Sequence, residues 1–185
     1  MPESVLLRLA SGEKALDALA LLSQSVTRLN LSGCEIICIP CNTVHVFIDE
    51  LRRISKAPIV SIIEESVKEC KKRQFKKIGL LGSTTTIKNK LHAKELQKIG
   101  IKVVLPTNLQ QKEINKIIFK IVTARTDIND IKKLQSIIHC LKINGADSIL
   151  LACTDLRTII FQKDIDLPVI DTTTALEDAI VQELL

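Results

Sequence analysis

Apolar positions along the chain fall into two kinds of segment. Short β-branched runs, apolar at consecutive positions, predict strands at Ile36–Ile39, Ile59–Ile63, Ile78–Leu81, Val103–Leu105, Ser148–Leu151 and Val169–Ile170. Between them, apolar residues spaced three and four apart predict helices over 14–30, 43–54, 64–73, 87–98, 110–123, 129–143, 155–161 and 174–184. Strands that are apolar on both faces and separated by helices need helices on both sides of a parallel sheet. Gly33, Gly100 and Gly145 stand just before strands, where a left-handed residue ends a helix. The connections are short, and none reads as a flexible linker. The pattern therefore predicts an α/β fold of parallel βαβ units.

One unit occurs twice. Leu29-Asn-Leu-Ser-Gly33-Cys-Glu35-Ile-Ile37-Cys-Ile39-Pro-Cys41 aligns with Leu141-Lys-Ile-Asn-Gly145-Ala-Asp147-Ser-Ile149-Leu-Leu151-Ala-Cys153 at a constant offset of 112 positions, 41 to 153. Each cysteine is followed by Thr within two residues, at Thr43 and Thr154, and later by a strand-opening proline, Pro58 and Pro168. Two βα units share apolar strands and a glycine stop by default. A cysteine at the same place in both does not follow from that default. Two such units related by a pseudo-two-fold bring both cysteines toward one cleft.

Composition narrows the classes. The chain has 185 residues, 46% apolar and 25% charged, which excludes disorder. Aromatics are 2%, with no Trp or Tyr, so the core is Ile, Leu, Val and Ala. The lack of stacking rings argues against a single-stranded nucleic-acid platform. No stretch approaches the ~20 apolar residues of a membrane span, and Met1-Pro2-Glu3-Ser4 lacks the basic start of a signal peptide. Six cysteines without a secretory signal read as reduced thiols of a cytoplasmic protein. Net charge is +5, and the run Lys71-Lys72-Arg73, continued by Lys76-Lys77, reads as a helix end complementing its dipole.

The chemistry then rests on Cys41 and Cys153. Both fall at the carboxyl end of a strand, where ligands bind in open α/β sheets. A helix starting there offers free N–H groups, which lower a thiol pKa and hold a carboxylate. Asn42, Thr43, Thr154 and Asp155 add capping and hydrogen-bonding groups. Two thiols on opposite faces of one carbon can take a proton from one face and return one to the other. An amino-acid α-proton is on the order of 20 pKa units less acidic than a thiol, a gap on the order of 27 kcal/mol. Donors to the substrate carboxylate must stabilise the carbanion, and desolvation must raise the basicity of the thiolate. A second reading takes Cys34, Cys38, Cys41 and His45 as a zinc or redox group, although strand geometry puts Cys38 and Cys41 on opposite faces. Cys34, Cys70 and Cys140 otherwise read as packing residues, and His92 and His139 as ordinary helix residues. His45, one turn after Cys41, either lowers the thiol pKa or caps a local hydrogen bond.

These residues resemble the aspartate/glutamate racemase family, the cofactor-independent amino-acid racemases. Pro40-Cys41-Asn42-Thr43-Val44-His45 is similar to the family's first cysteine motif, PCNTxH. Leu151-Ala152-Cys153-Thr154-Asp155 resembles its second, LGCTE, with Ala for Gly and Asp for Glu. Gly82-Ser83-Thr84-Thr85-Thr86 resembles the GTxxT turn, with Ser83 replacing the first Thr. His92 stands where many relatives carry Tyr, and Asp171-Thr172 is similar to the family's DT before the last helix.

The resemblance covers essentially the whole chain. It implies two Rossmann-like, three-layer parallel-sheet domains related by pseudo-two-fold symmetry, with a substrate cleft between them, often in a homodimer. It implies racemisation of aspartate or glutamate, with Cys41 and Cys153 as catalytic acid and base and no pyridoxal phosphate or metal. Asn42, Thr43, Thr86 and Thr154 would bind the substrate's α-carboxylate and amino group. Arg125 would meet the side-chain carboxylate, although Ala124 stands where relatives have Gly. A hydantoin racemase, a maleate isomerase and a non-catalytic fragment are the alternatives.

The family's opening strand and GGxGP loop are not in this sequence. The segment Met1–Ser4 corresponds to one that often reads PDR; its Arg is absent, and Arg8 is the candidate substitute. The expected first domain is therefore incomplete, residues 1–75 plus 171–185, with an exposed sheet edge, and the second is 76–170. Either the gene product is short or the true start lies upstream.

Overall fold

Six parallel strands divide between two sheets in the computed structural model, which describes residues 3–13 and 16–185. In the smaller sheet β1 (Ile37–Ile39) pairs with β2 (Ile59–Ser61). The larger has the order β4-β3-β5-β6, with β3 Lys77–Gly82, β4 Lys102–Val104, β5 Ser148–Ala152 and β6 Val169–Asp171. Every residue of β5 is buried, which is why the strand is apolar at every position after Ser148.

The strands lie within one residue of the predicted bounds, Ile36 and Leu105 falling just outside β1 and β4, with one larger correction. The run Ile59–Ile63 stops being a strand at Ser61, whose hydroxyl accepts the Glu64 N–H (3.4 Å) and caps α4 (Ile62–Lys72). Ile62 and Ile63 therefore begin a helix and pack against Leu176. A run of apolar residues does not reveal where strand gives way to helix.

The remaining helices are α1 (Glu3–Ser11), α2 (Leu16–Leu31), α3 (Ile48–Ile54), α5 (Thr84–Lys88), α6 (Leu91–Lys98), α7 (Asn108–Val122), α8 (Ile128–Ile143) and α9 (Thr172–Leu184). The helix expected over 87–98 is divided at Lys90, whose φ of 55° is left-handed. The one expected over 43–54 starts as a 3₁₀ turn, Thr43–Phe47, and the one over 155–161 is reduced to a 3₁₀ turn, Leu156–Thr158. Helix α1 is absent from the sequence expectations. Residues 1–2 of the opening segment and the expected helix start at Lys14 and Ala15 lie outside the described residues.

The repeat has a structural counterpart. The Ile37 N–H donates to the Pro58 carbonyl (3.0 Å), and the Ile149 N–H donates to the Pro168 carbonyl (2.9 Å). Ile37 pairs with Ile59, and Ile149 pairs with Val169. Gly33 and Gly145 both hold positive φ, 72° and 89°. After its second strand, each unit caps a helix: Ser61 caps α4, and Asp171 caps α9 by accepting the Thr173 N–H (2.8 Å). Those two helices pack along one another.

The larger sheet is the middle of three layers. On one face Val67 and Cys70 of α4 and Leu96 of α6 cover Ile78, Leu80, Leu150 and Ile170. On the other, Ile114 and Ile117 of α7 and Leu134, Ile138 and Leu141 of α8 cover Leu81, Ile149 and Leu151. Gly79 permits the approach of α8, since a Cβ there would lie 3.2 Å from the Cβ of Leu141. Around the small sheet, Val26 of α2 and Leu51 of α3 pack on Ile37 and Ile59. Val5 and Leu9 of α1 pack with Ala18 and Val44.

Two histidines are sealed inside. His45 is 3% exposed and His92 is fully buried. The Nδ1–H of His45 donates to the Cys41 carbonyl (2.8 Å), while His45 Nε2 and both His92 nitrogens have no partner among the described residues. Burial pushes the pKa of His45 down to about 4 and that of His92 down to about 3, and the charge of Arg52 beside His45 and of His45 beside His92 pushes the same way.

The pKa shifts set the sign of a pH effect. Unfolded, each ring protonates near pH 6.5; folded, each stays neutral until about pH 4 or below. The unfolded chain therefore binds more protons between those limits. Stability present above pH 6.5 is lost as the pH falls, by about 1.4 kcal/mol per pH unit for each ring. Urea midpoints measured from pH 7 to 4.5 should decline, and His92→Phe should lessen the slope by about half of the two-ring contribution. An unchanged slope in His92→Phe would show that His92 titrates freely.

Candidate active site

Both cysteines line one cavity of about 150 Å³. The first turn contributes Pro40, Cys41, Asn42 and Thr43 beyond β1; the second contributes Cys153, Thr154 and Asp155 beyond β5. Ser83 enters from the end of β3, Ile118 and Val122 from α7, and Leu6, Leu7 and Ala10 from α1. Within each sheet the strands are parallel, and the turns beyond the carboxyl ends of β1 and β5 both open on this cavity.

Two effects oppose each other at the thiols. The N–H groups of Thr43 and Val44 lower the pKa of Cys41, but burial outweighs them and the charge of Asp155 adds to burial, so the pKa is raised. Cys153 is pushed far up, first by burial and then by the charge of Asp155. Its Sγ–H donates to Asp155 Oδ2 (3.5 Å). Ionised Cys41 raises Cys153 further, so the two thiols do not ionise independently. The expectation that helix N-termini depress both thiols is thus corrected. Short 3₁₀ turns, not α-helices, follow the cysteines, and their few N–H groups do not offset desolvation.

Polar groups near the thiols are held from behind. Asn42 Nδ2 donates to Thr172 Oγ1 (3.0 Å), and that hydroxyl donates to the Leu151 carbonyl (3.0 Å). Asn42 Oδ1 is buried with no partner among the described residues, a free acceptor beside the cavity. The hydroxyls of Thr43 and Ser83 bond to one another (2.9 Å).

The expected site residues are therefore brought together in part. Cys41, Cys153, Asn42, Thr43 and Thr154 line the cavity; Thr86 and Arg125 do not. Thr86 stands behind Ser83, with its N–H (3.2 Å) and hydroxyl (3.0 Å) both on the Ser83 hydroxyl, so it positions a residue that lines the cavity. Arg125 is exposed beyond the end of α7, three positions past Val122. Arg8 pairs with Glu13 and Asp17 (3.3 Å each) and does not replace the missing arginine. His45 caps the Cys41 carbonyl and is neutral, so it supplies no charge to depress the thiol. Cys34, Cys38, Cys41 and His45 are not gathered: Cys38 is exposed, and among the described residues no three His, Cys, Asp or Glu side chains converge as a metal requires. Asp155, expected as a hydrogen-bonding group at the second turn, lines the cavity; Ser83, quoted within the GTxxT-like motif but given no role, lines it in place of Thr86, and nothing in the sequence signals α1.

A family model described as Asp/Glu/Hydantoin racemase matches residues 4–180. The broad specificity amino-acid racemase RacX of Bacillus subtilis (strain 168) is 29% identical over 161 residues, 85% of this chain and 68% of that protein. The glutamate racemase of Aquifex pyrophilus is 34% identical over 73 residues, 38% of this chain and 29% of that protein. Among solved structures, the Picrophilus torridus aspartate racemase superposes with a TM-score of 0.79 at 26% identity, over 89% of this chain and 68% of that one. An aspartate racemase homologue from Pyrococcus horikoshii OT3 gives 0.77 at 29% identity, over 89% of this chain and 73% of that one. With its paired cysteine turns, its parallel sheets and a family match along nearly its whole length, the chain belongs to the Asp/Glu/hydantoin racemase family.

Proposed function

We propose that this chain inverts the α-carbon of an amino acid by proton transfer between Cys41 and Cys153. The observation that carries the reading is that both thiols line one small cavity at the ends of equivalent strands. One cysteine, as thiolate, takes the α-proton; the other, as thiol, gives its proton to the opposite face. Charge and protons balance, and the two cysteines exchange states in each turnover.

Their surroundings differ in a way that sets the resting state. Cys41 is supported by two N–H groups, while Cys153 shares its proton with Asp155 and is raised by that charge. Cys41 is therefore the first to ionise, and Cys153 starts as the donor. The free Asn42 Oδ1 suits the substrate ammonium. Hydroxyls of Thr43, Ser83 and Thr154 suit the carboxylate, where charge develops as the proton leaves. Burial strengthens these contacts and makes the thiolate a stronger base. Nothing in this scheme requires pyridoxal phosphate or a metal. The relatives' names cover aspartate, glutamate and a broad range of substrates; the cavity wall, not the thiol pair, decides among them.

Replacing Cys41 or Cys153 singly by Ser should lower racemisation by roughly 1000-fold, since each face needs its own acid or base. A single variant should still wash solvent deuterium into one enantiomer, read by NMR. Full racemisation by either variant would overturn the two-thiol scheme. Activity should persist after dialysis against a chelator and after hydroxylamine treatment; restoration of lost activity by zinc or pyridoxal phosphate would count against it. Thr172→Val leaves Asn42 Nδ2 without its partner and removes the side-chain donor to the Leu151 carbonyl. It should lower stability by about 1–3 kcal/mol in urea and reduce kcat/KM as well. Unchanged kcat/KM would show that Asn42 holds its place without this bridge.

A further inference from the structure

We infer that the site is built for an amino acid with a neutral, largely apolar side chain rather than an acidic one. The inference rests on the two-thiol reading above and concerns the part of the cavity that reading leaves unused. With the α-carbon between Cys41 and Cys153 and its polar groups on Asn42, Thr43 and Thr154, the remaining wall is Leu6, Leu7, Ala10, Ile118 and Val122. No Lys, Arg or His among the described residues lines this cavity. Its charged side chain is Asp155, which repels a second carboxylate. An adjoining space of about 90 Å³ shares Leu7, Ala10 and Ile118 and is also lined without a charge. It offers room for a side chain and no ion-pair partner.

The two arginines that could have met an acidic side chain are directed elsewhere. Arg8 faces Glu13 and Asp17, and Arg125 is exposed beyond α7. A substrate carboxylate placed against leucine, isoleucine and valine would lose its hydration and gain no partner. An alkyl or thioether side chain would lose nothing and bury its surface. A basic side chain would have to take Asp155 away from the Cys153 thiol, which holds it at 3.5 Å. Helix α1 is the specificity element in this arrangement, because it supplies Leu6, Leu7 and Ala10.

The experiment follows α-deuterium exchange and racemisation, by NMR and chiral chromatography, on L-alanine, L-valine, L-methionine, L-aspartate, L-glutamate and L-lysine. The best neutral substrate should exceed aspartate and glutamate in kcat/KM by roughly 100-fold. Val122→Arg, which puts a cation into the wall, should move the preference toward aspartate at least about tenfold. Leu7→Lys does the same from α1 and serves where circular dichroism shows that the first variant has not folded. Cysteine-dependent turnover that favours aspartate, glutamate or lysine in the wild type overturns this inference and leaves the two-thiol scheme standing. Exchange that survives Cys41→Ala/Cys153→Ala, or no exchange with any of the six, overturns the two-thiol scheme and this inference with it.

Discussion

A single buried hydroxyl joins the two halves of the site. Thr172 Oγ1 accepts from Asn42, beside the first cysteine, and donates to the Leu151 carbonyl, two residues before the second. Both bonds lie in the interior, where an unmade hydrogen bond costs the full desolvation of its partner. The separation of the thiols is thereby tied to the register of β5 and β6 and to the first turn of α9. The packing of α4 along α9 repeats the same connection at the scale of helices, since each helix follows the second strand of its own unit.

Within that frame, desolvation governs the chemistry. The turns after β1 and β5 do present N–H groups to the thiols, as helix starts would, but they are too few to outweigh burial. The consequence is a site whose thiols rest mostly protonated and whose thiolate, once formed, is a strong base. For abstraction of a weakly acidic α-proton, that trade is favourable: proton affinity gained by burial narrows the pKa gap from the base side, while hydroxyls and N–H groups narrow it from the carbanion side. Asp155 breaks the symmetry of the pair, keeping the proton on Cys153.

The apolar wall of the cavity has a separate origin. It comes from α1 and α7, elements outside the repeated unit, and it is apolar where the thiol turns are polar. In the proposed scheme, reaction and selectivity are thus carried by different parts of the chain, the one by the paired turns and the other by helices α1 and α7.

Much of this was legible in the sequence. The alternation of apolar runs and helical periods determines parallel β-strands, because the spacing leaves no room for hairpins and the runs are apolar on both faces. The repeat at an offset of 112 positions determines that Cys41 and Cys153 occupy equivalent places, and that equivalence extends to the Pro58 and Pro168 carbonyl bonds. What the sequence could not determine depends on packing between distant segments. Whether Ile62 is strand or helix is settled by the Ser61 cap, and whether Thr86 or Ser83 reaches the cavity is settled by which hydroxyl lies in front. Arg8 and Arg125 are cations at plausible positions in the chain, yet tertiary structure turns one toward acids of its own surface and leaves the other in solvent. The pKa of a thiol follows the same logic: spacing places the cysteine at a strand end, but only the surrounding helices determine how much water it loses.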